Sequence, residues 1–412
     1  MKLKAGALYF SIVIAFFIAI ISASLIMLAA HYRSAHLKEV RYQRLQNNLN
    51  SGIDFLLADV TDVDLSKNVD LFNDNLDSVE ISKKKWGLYD LSTVKAFTNK
   101  DTLSRVFLVG LNTSKDRKVL YLADEDRPLS ISGETRITGD AEIPKSGIKQ
   151  SYAEGKPYTG DQLLYGKKSD SGRKLKELEN KRLKYLEAYF DNTTKKYPIL
   201  GGADLHNGFK NSTKIFTVPP GAVLNSSLSG NIILVSDSSI IISANAKLDN
   251  IQIFAHTVTF ESGFRGNCQV FASDSILVKN DVKLNYPSVL GVIRKKGSAD
   301  QPNITSGENF EMNGILFSYE QVRSSMQTII SLGKKAKLNG EVYATGLVKL
   351  DKGVVISGKV SANRFIMTTP TSLYENFLID VTFNRKARSK YYLSSALFSG
   401  NEKNNKILKW LN

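Results

Sequence analysis

The sequence predicts a mainly β protein: an N-terminal transmembrane and amphipathic helix, a small antiparallel sheet, and a C-terminal parallel β-helix-like solenoid. Three observations predict it. Ala7 to Ala30 is an apolar run without a charge, β-branched and aromatic runs fill the stretch from about Val79 to Ala123, and an Asn-led strand motif recurs after residue 210. The 412 residues suffice for two or three domains, and 42% hydrophobic content suffices for a packed core outside a membrane.

The run from Ala7 to Ala30 is long enough to cross a bilayer as a helix and longer than the apolar core of a cleaved signal peptide. Within it Ala7, Ser11, Ala15, Ala19 and Ala23 fall four residues apart. On a helix these share one face, and a stripe of small side chains lets a second helix approach closely in lipid. Leu37, Val40, Leu45, Leu49, Ile53 and Leu56 then continue at helical spacing, with Arg33, Lys38, Arg41 and Arg44 before or between them, near enough to meet anionic headgroups.

This start resembles type IV pilins and the pseudopilins of type II secretion. The matching features are a short basic leader ending in glycine, Met1-Lys2-Leu3-Lys4-Ala5-Gly6, a long apolar helix, and an amphipathic extension. The resemblance covers about the first 60 residues. It implies cleavage between Gly6 and Ala7, packing of the helix among other pilin-like subunits or copies of itself, and contact with membrane lipid. Where major pilins carry a glutamate at the fifth position after the cleavage site, this chain has Ser11, as in minor types that lack it, and Ala5 stands where Lys or Arg is usual. The implied location is a bacterial inner (cytoplasmic) membrane, single-pass. Counting Arg33, Lys38, Arg41 and Arg44 against Lys2 and Lys4 places the bulk of the chain in the cytoplasm. The pilin resemblance places it outside, and outside is the favoured expectation.

The acidic stretch holding Asp59, Asp62, Asp64, Asp70, Asp74, Asp77 and Glu80 lacks the spacing of a calcium loop and is expected to be a solvated linker. Trp86 to Tyr89, Val106 to Val109 and Val119 to Leu122 read as strands of the small sheet, with a turn over Asn112 to Asp116. Ser130 to Asp140 reads as an early solenoid turn. A charged helix is expected near Lys174 to Phe190, with Leu175, Leu178, Leu183 and Leu186 on its apolar face.

Between about 210 and 370 an Asn-led strand recurs at Asn231, Asn250, Asn267, Asn313 and Asn339, with a weaker copy at Asn285. Successive starts lie 19, 17, 18, 28 and 26 residues apart. Units of that size cannot bury an apolar face alone and stack into a solenoid. Two further short apolar runs follow most copies, giving three strands per turn. The Asn residues are expected at corners, where they tolerate a left-handed backbone and bond to the turn above. Alternation along each strand is expected to point one side chain in and the next out. Arg385 to Leu393 and Lys406 to Leu411 are expected to form small capping helices. The repeat pattern is similar to that of bactofilin-type cytoskeletal polymers, polysaccharide lyases and adhesins.

The divisions expected are 1-30 (leader and transmembrane helix), 31-58 (amphipathic extension), 59-125 (small β-sheet domain), 126-198 (early solenoid turn and polar helical excursion), 199-370 (solenoid) and 371-412 (C-terminal cap). The net charge of +15 is spread along the chain and points to a basic surface, with no nucleic acid partner expected. Cys268 is the sole cysteine, which excludes an intrachain disulfide or a site of several thiolates, and it falls in a strand as an inert core thiol. No catalytic, cofactor or metal constellation stands out, so the expectation is a structural protein, not an enzyme. The alternatives are a membrane-tethered bactofilin-like scaffold and, third, a polysaccharide-binding or carbohydrate-active solenoid.

Overall fold

The computed structural model describes residues 5–58, 65–70, 77–98, 101–191, 197–295, 300–369, 372–398 and 404–411. The leader residues Met1 to Lys4, and Asp59, Asp62, Asp64 and Asp74 of the acidic stretch, lie outside the described residues. The protein is mainly β, with one long N-terminal apolar helix and a small antiparallel sheet. It divides into two units. The first comprises residues 1–59, 65–83 and 93–105, and the second residues 60–64, 84–92 and 106–412.

In the first unit, helix α1 runs unbroken over Ala5–Ala58. At 1.5 Å per residue it is about 80 Å long. Its last turns bury Leu45, Leu49, Ile53 and Leu56. Gly52 sits where a Cβ would lie 2.7 Å from Val94 Cγ1 and 2.8 Å from Val79 Cγ1, so the helix backbone itself meets the strand residues. Leu65–Val69 pairs antiparallel with Ser78–Trp86, Leu65 opposite Lys83 and Val69 opposite Val79.

The second unit is dominated by parallel strands whose sheet closes on itself. Each circuit of chain pairs with the next. Ile240 lies opposite Val258, Val258 opposite Ile276, Ile276 opposite Ile304, Ile304 opposite Ile330 and Ile330 opposite Val348. Inside runs one apolar core that includes Leu228, Leu248, Phe260, Phe264, Cys268, Val278, Met312 and Phe365.

The strand order departs from chain order at one place. Val360 and Ala362, late in the chain, pair in parallel with Leu120 and Leu122, while Phe377–Ile379 pairs with Leu129–Ser132 and Thr382–Asn384 with Arg136–Thr138. Leu120 and Tyr121 pair onward with Ala141 and Glu142, and Ala141 with Lys168. Residues 118–170 therefore extend the sheet beyond the circuit made last. Lys118–Leu122, expected in the small antiparallel sheet, belongs to this parallel sheet instead. Its apolar inner side chains, Leu120 and Leu122, complete the long core.

Three further expectations change. Trp86 to Tyr89 is not one strand: Gly87 and Leu88 form the turn between Ser78–Trp86 and Tyr89–Phe97, and Gly87 takes φ +58°. The C-terminal residues form a strand, Asn405–Leu411, antiparallel to the end of Thr102–Leu111, where a capping helix was expected. Arg385 to Leu393 is irregular rather than helical. The Arg385 guanidinium donates to the carbonyls of Thr113 and Asp116, and Arg388 donates to Thr113 and Glu341, which pins the segment open.

The charged helix α2 spans Asn180–Asp191, shorter than expected because the Glu179 carboxylate accepts the N–H groups of Lys181 and Arg182 and so caps its start. Leu175, Leu178, Leu183 and Leu186 are all buried, the first two ahead of the helix. Arg182 is wholly buried, donating to the carbonyls of Gly87 and Tyr89 and pairing with Asp90 at 2.5 Å.

Alternation holds on one run of the circuit and fails on another. Ser239–Ile242, Asn303–Ser306 and Ile329–Leu332 alternate between half-exposed and buried. The Asn-led segments Ile232–Val235, 251–255 and 289–293 are buried throughout. Their outward side chains, among them Ile233, Phe254 and Ile293, lie in a second apolar cluster with Phe271 and Phe317 of the neighbouring strands and with Trp86, Leu183, Leu186, Phe190 and Leu397. This face of the sheet is covered, so both of its sides are apolar.

Candidate functional site

From Gly6 to Glu39 nearly every residue of α1 is exposed, and up to Leu28 many of the exposed side chains are large and apolar: Leu8 is 70% exposed, Phe10 69% and Met27 78%. The helix is long and apolar enough to cross a membrane. Ala7, Ser11, Ala15, Ala19 and Ala23 share one exposed stripe on it, and the Ser11 hydroxyl donates to the Ala7 carbonyl at 3.0 Å, satisfying its polar group within the helix. Gly6 lies in the first helical turn with open space around it. Two of the four juxtamembrane cations meet carboxylates of their own unit: Arg44 pairs with buried Asp77, and Arg41 with Asp101 at 3.3 Å.

Of the six Asn residues singled out in the repeat, two pairs meet through their side chains. Asn339 donates to the Asn313 side chain at 2.9 Å, and Asn267 to that of Asn250 at 3.4 Å, each from one circuit to its neighbour. Asn231 is buried and donates to the Asn211 carbonyl. Asn285 presents its carbonyl to the Ser288 hydroxyl. Only Asn250 of the six takes a left-handed backbone, with φ +58°.

The left-handed corner lies elsewhere, at Asp281, Asn309, Lys335 and Asp380, with Gly263 and Gly353 in the same series. The Asp281 N–H donates to the Glu308 carbonyl, that of Asn309 to Lys334, that of Lys335 to Lys352 and that of Gly353 to Asp380. The signal was in the sequence. Each of these residues directly precedes a buried Phe, Val or Ala: Phe264, Val282, Phe310, Ala336, Val354 and Val381. A second unread signal is the glycine after Asn313 and Asn339. Gly314, Gly340 and Gly358 stack in register, and a Cβ on any of them would overlap the backbone carbonyl oxygen of the circuit before it.

Beyond Tyr343 the covered face ends, since Lys359 and Ser361 are half-exposed again. A cavity of about 230 Å³ opens there, walled by Tyr121, Tyr343, Phe398, Lys118, Lys359 and Glu341. Its charges neutralise one another. Lys118 pairs with Glu142, which holds the ammonium above its ordinary pKa through their hydrogen bond. Lys359 pairs with Asp116 at 2.8 Å, and Arg388 with Glu341 at 3.3 Å. Burial works to raise the Asp116 pKa, but the Lys359 ammonium and the Lys118 N–H outweigh it and hold it below the usual range. Cys268 is fully buried in the core, where desolvation pushes its thiol up to about 12. Among the described residues no group of three or more His, Cys, Asp or Glu is placed to hold a metal.

No family model matches the chain, and no curated protein does. Among solved structures it is similar to the competence-associated pilin ComZ from Thermus thermophilus, at 9% identity, over 84% of this chain and 86% of that one. The TM-score is 0.26, too low to carry fold or function from one chain to the other.

Proposed function

We propose that this chain is a single-pass, membrane-anchored assembly subunit of the minor pilin or pseudopilin kind. Its role is structural rather than catalytic, and it displays a β-solenoid outside the cytoplasm. The observation that carries the reading is the division of α1. Its first part exposes an unbroken apolar surface, and its last turns bury Leu45, Leu49, Ile53 and Leu56 in the first unit. A helix apolar on all sides over some 20 residues and amphipathic afterwards suits one that leaves lipid and enters a folded domain. The stripe from Ala7 to Ala23 is then the packing face toward other pilin-like subunits or copies of this chain. The solenoid reading is supported by the parallel circuit-to-circuit registers and by the stacked glycines and left-handed corners.

A reporter active only outside the cytoplasm, fused after the C-terminus, tests orientation. Activity of that fusion, and a size shift that Gly6→Val abolishes, are the expected results. Activity only of a cytoplasmic reporter would instead favour a tethered bactofilin-like scaffold, a reading to which the cations Arg33 and Lys38 lend some support.

A further inference from the structure

A second cavity, of about 590 Å³, lies where the segment after Asn384 crosses the chain at residues 114–117, 139–140 and 165–166. Five cations line it, Arg117, Arg385, Lys386, Arg388 and Lys390, against two carboxylates. Both carboxylates are engaged: Asp116 pairs with Lys359, and Asp140 accepts the Lys167 N–H at 2.9 Å. Arg388 is committed to Glu341.

Arg385 is the informative group. It is only 8% exposed, and two backbone carbonyls hold one end of its guanidinium, but its Nε is buried with no acceptor among the described residues. Burial, and after it the neighbouring Arg388, depress its pKa from the ordinary value. A buried cation left without a full set of acceptors is costly, and an anion in the cavity in front of it would offset that cost through its charge. Gly139 and Gly166 let the segments behind it pack closely: a Cβ on Gly139 would lie 2.8 Å from Arg385 Cβ, and one on Gly166 would overlap the Gly139 carbonyl.

We propose that this cavity binds a phosphate-bearing anion, with Arg385 as its buried anchor and Arg117, Lys386 and Lys390 as the outer clamp. Guanidinium forks and ammonium groups converging on one space match the several oxygens and the near-double charge of a phosphate ester better than a single carboxylate. The phosphate can belong to a soluble ester or to a lipid headgroup.

The test is calorimetric titration of inorganic pyrophosphate into the full chain in a neutral detergent. Saturable binding that weakens with salt is expected. Arg117→Ala and Lys386→Ala should each weaken it about tenfold, and Lys247→Ala, an exposed lysine outside the cavity, should leave it unchanged. Lys390→Ala provides the same reading should Arg117→Ala fail to fold. Loss of the pyrophosphate heat in discs containing phosphatidylglycerol, with retention in phosphatidylcholine discs, identifies the headgroup as the source. Retention in both identifies a soluble phosphate. No heat in any condition, or equal weakening by Lys247→Ala, overturns the proposal.

Discussion

Two runs of the same circuit obey different rules. On the run from Ser239 to Ile242 and its counterparts, inward residues are apolar and outward ones half-exposed. On the Asn-led run the outward positions are as buried as the inward ones, and the rings of Phe254 and Phe271 stack at 4.9 Å from one circuit to the next. The difference lies in the cover. Helix α2 brings Phe190 to 5.9 Å and Tyr189 to 4.3 Å from the Phe254 ring, and Gln269 accepts the Leu88 N–H at 2.9 Å, fixing the Gly87-Leu88 turn. Burial on both faces, not strand geometry, makes a repeat conspicuous in sequence.

The sharpest way to break this comparison is to truncate one outward side chain on each run. Phe271→Ala should cost about 3–5 kcal/mol, since it opens a cavity and removes a stacked ring. Leu277→Ala, on an outward position 42% exposed, should cost at most about 1 kcal/mol. Chemical denaturation of both variants checks this, and equal losses would mean that the cover adds nothing.

A smaller effect is expected at the glycine column. Gly340→Ala should cost about 2 kcal/mol or more, because φ +151° strains an alanine and its methyl would press on the Gly314 carbonyl. Gly201→Ala, in open space and with no left-handed backbone, should be near neutral by the same assay.

The repeat was legible because the covered run is mostly apolar at inward and outward positions alike, with Gln252, Gln269 and Glu341 as its polar exceptions. The left-handed corner was misplaced because Asn was the most visible recurring residue, while the true corner is filled by Gly, Asp, Asn and Lys in turn, recognisable only from the buried residue that follows. The pairing of residues 118–138 with 355–384 was not legible at all. Nothing local in Val119 to Leu122 distinguishes a strand of an antiparallel sheet from one that closes onto a circuit far along the chain. The basic cavity is not legible in the sequence, because Arg385 to Lys390 has the composition of a charged helix and its irregular path depends on distant partners such as the carbonyls of Thr113 and Asp116.

That long-range join is bordered by ion pairs, Lys359–Asp116 at 2.8 Å, Lys156–Asp380 at 2.6 Å and Arg364–Glu125 at 2.5 Å. Burial acts to raise the Asp116 and Asp380 pKa values, but their lysine partners and backbone N–H groups leave both below the ordinary carboxylate range. A carboxylate depressed in the folded state contributes stability that is present above its unfolded pKa, about 4, and lost as pH falls through the folded value. Hydrogen-exchange protection at Val119 to Leu122, relative to the intrinsic rate at each pH, should therefore fall below about pH 4, before that of the amides of Ile251 to Phe254. Simultaneous loss would show that the join is no weaker than the contiguous circuits.

The smallest expected effect is at Cys268. With its thiol pushed to about 12 and fully buried, it should resist alkylation at neutral pH in the native chain and react in denaturant. Labelling in the native state would mean that the core opens.

Within the second unit, outward apolar rows such as Phe254 and Phe271 have a protein cover; on the first part of α1, Leu8, Phe10, Ile14, Phe17, Ile18 and Met27 are exposed. Lipid is the cover proposed for them, and flotation with phospholipid vesicles tests it most directly. The full chain should float with the vesicles and resist alkaline extraction, and Ile14→Asp with Ile18→Asp, each costing about 2.5–3.5 kcal/mol at a bilayer centre, should release it. A full chain that stays in the soluble fraction would contradict the anchor, and with it the proposed function.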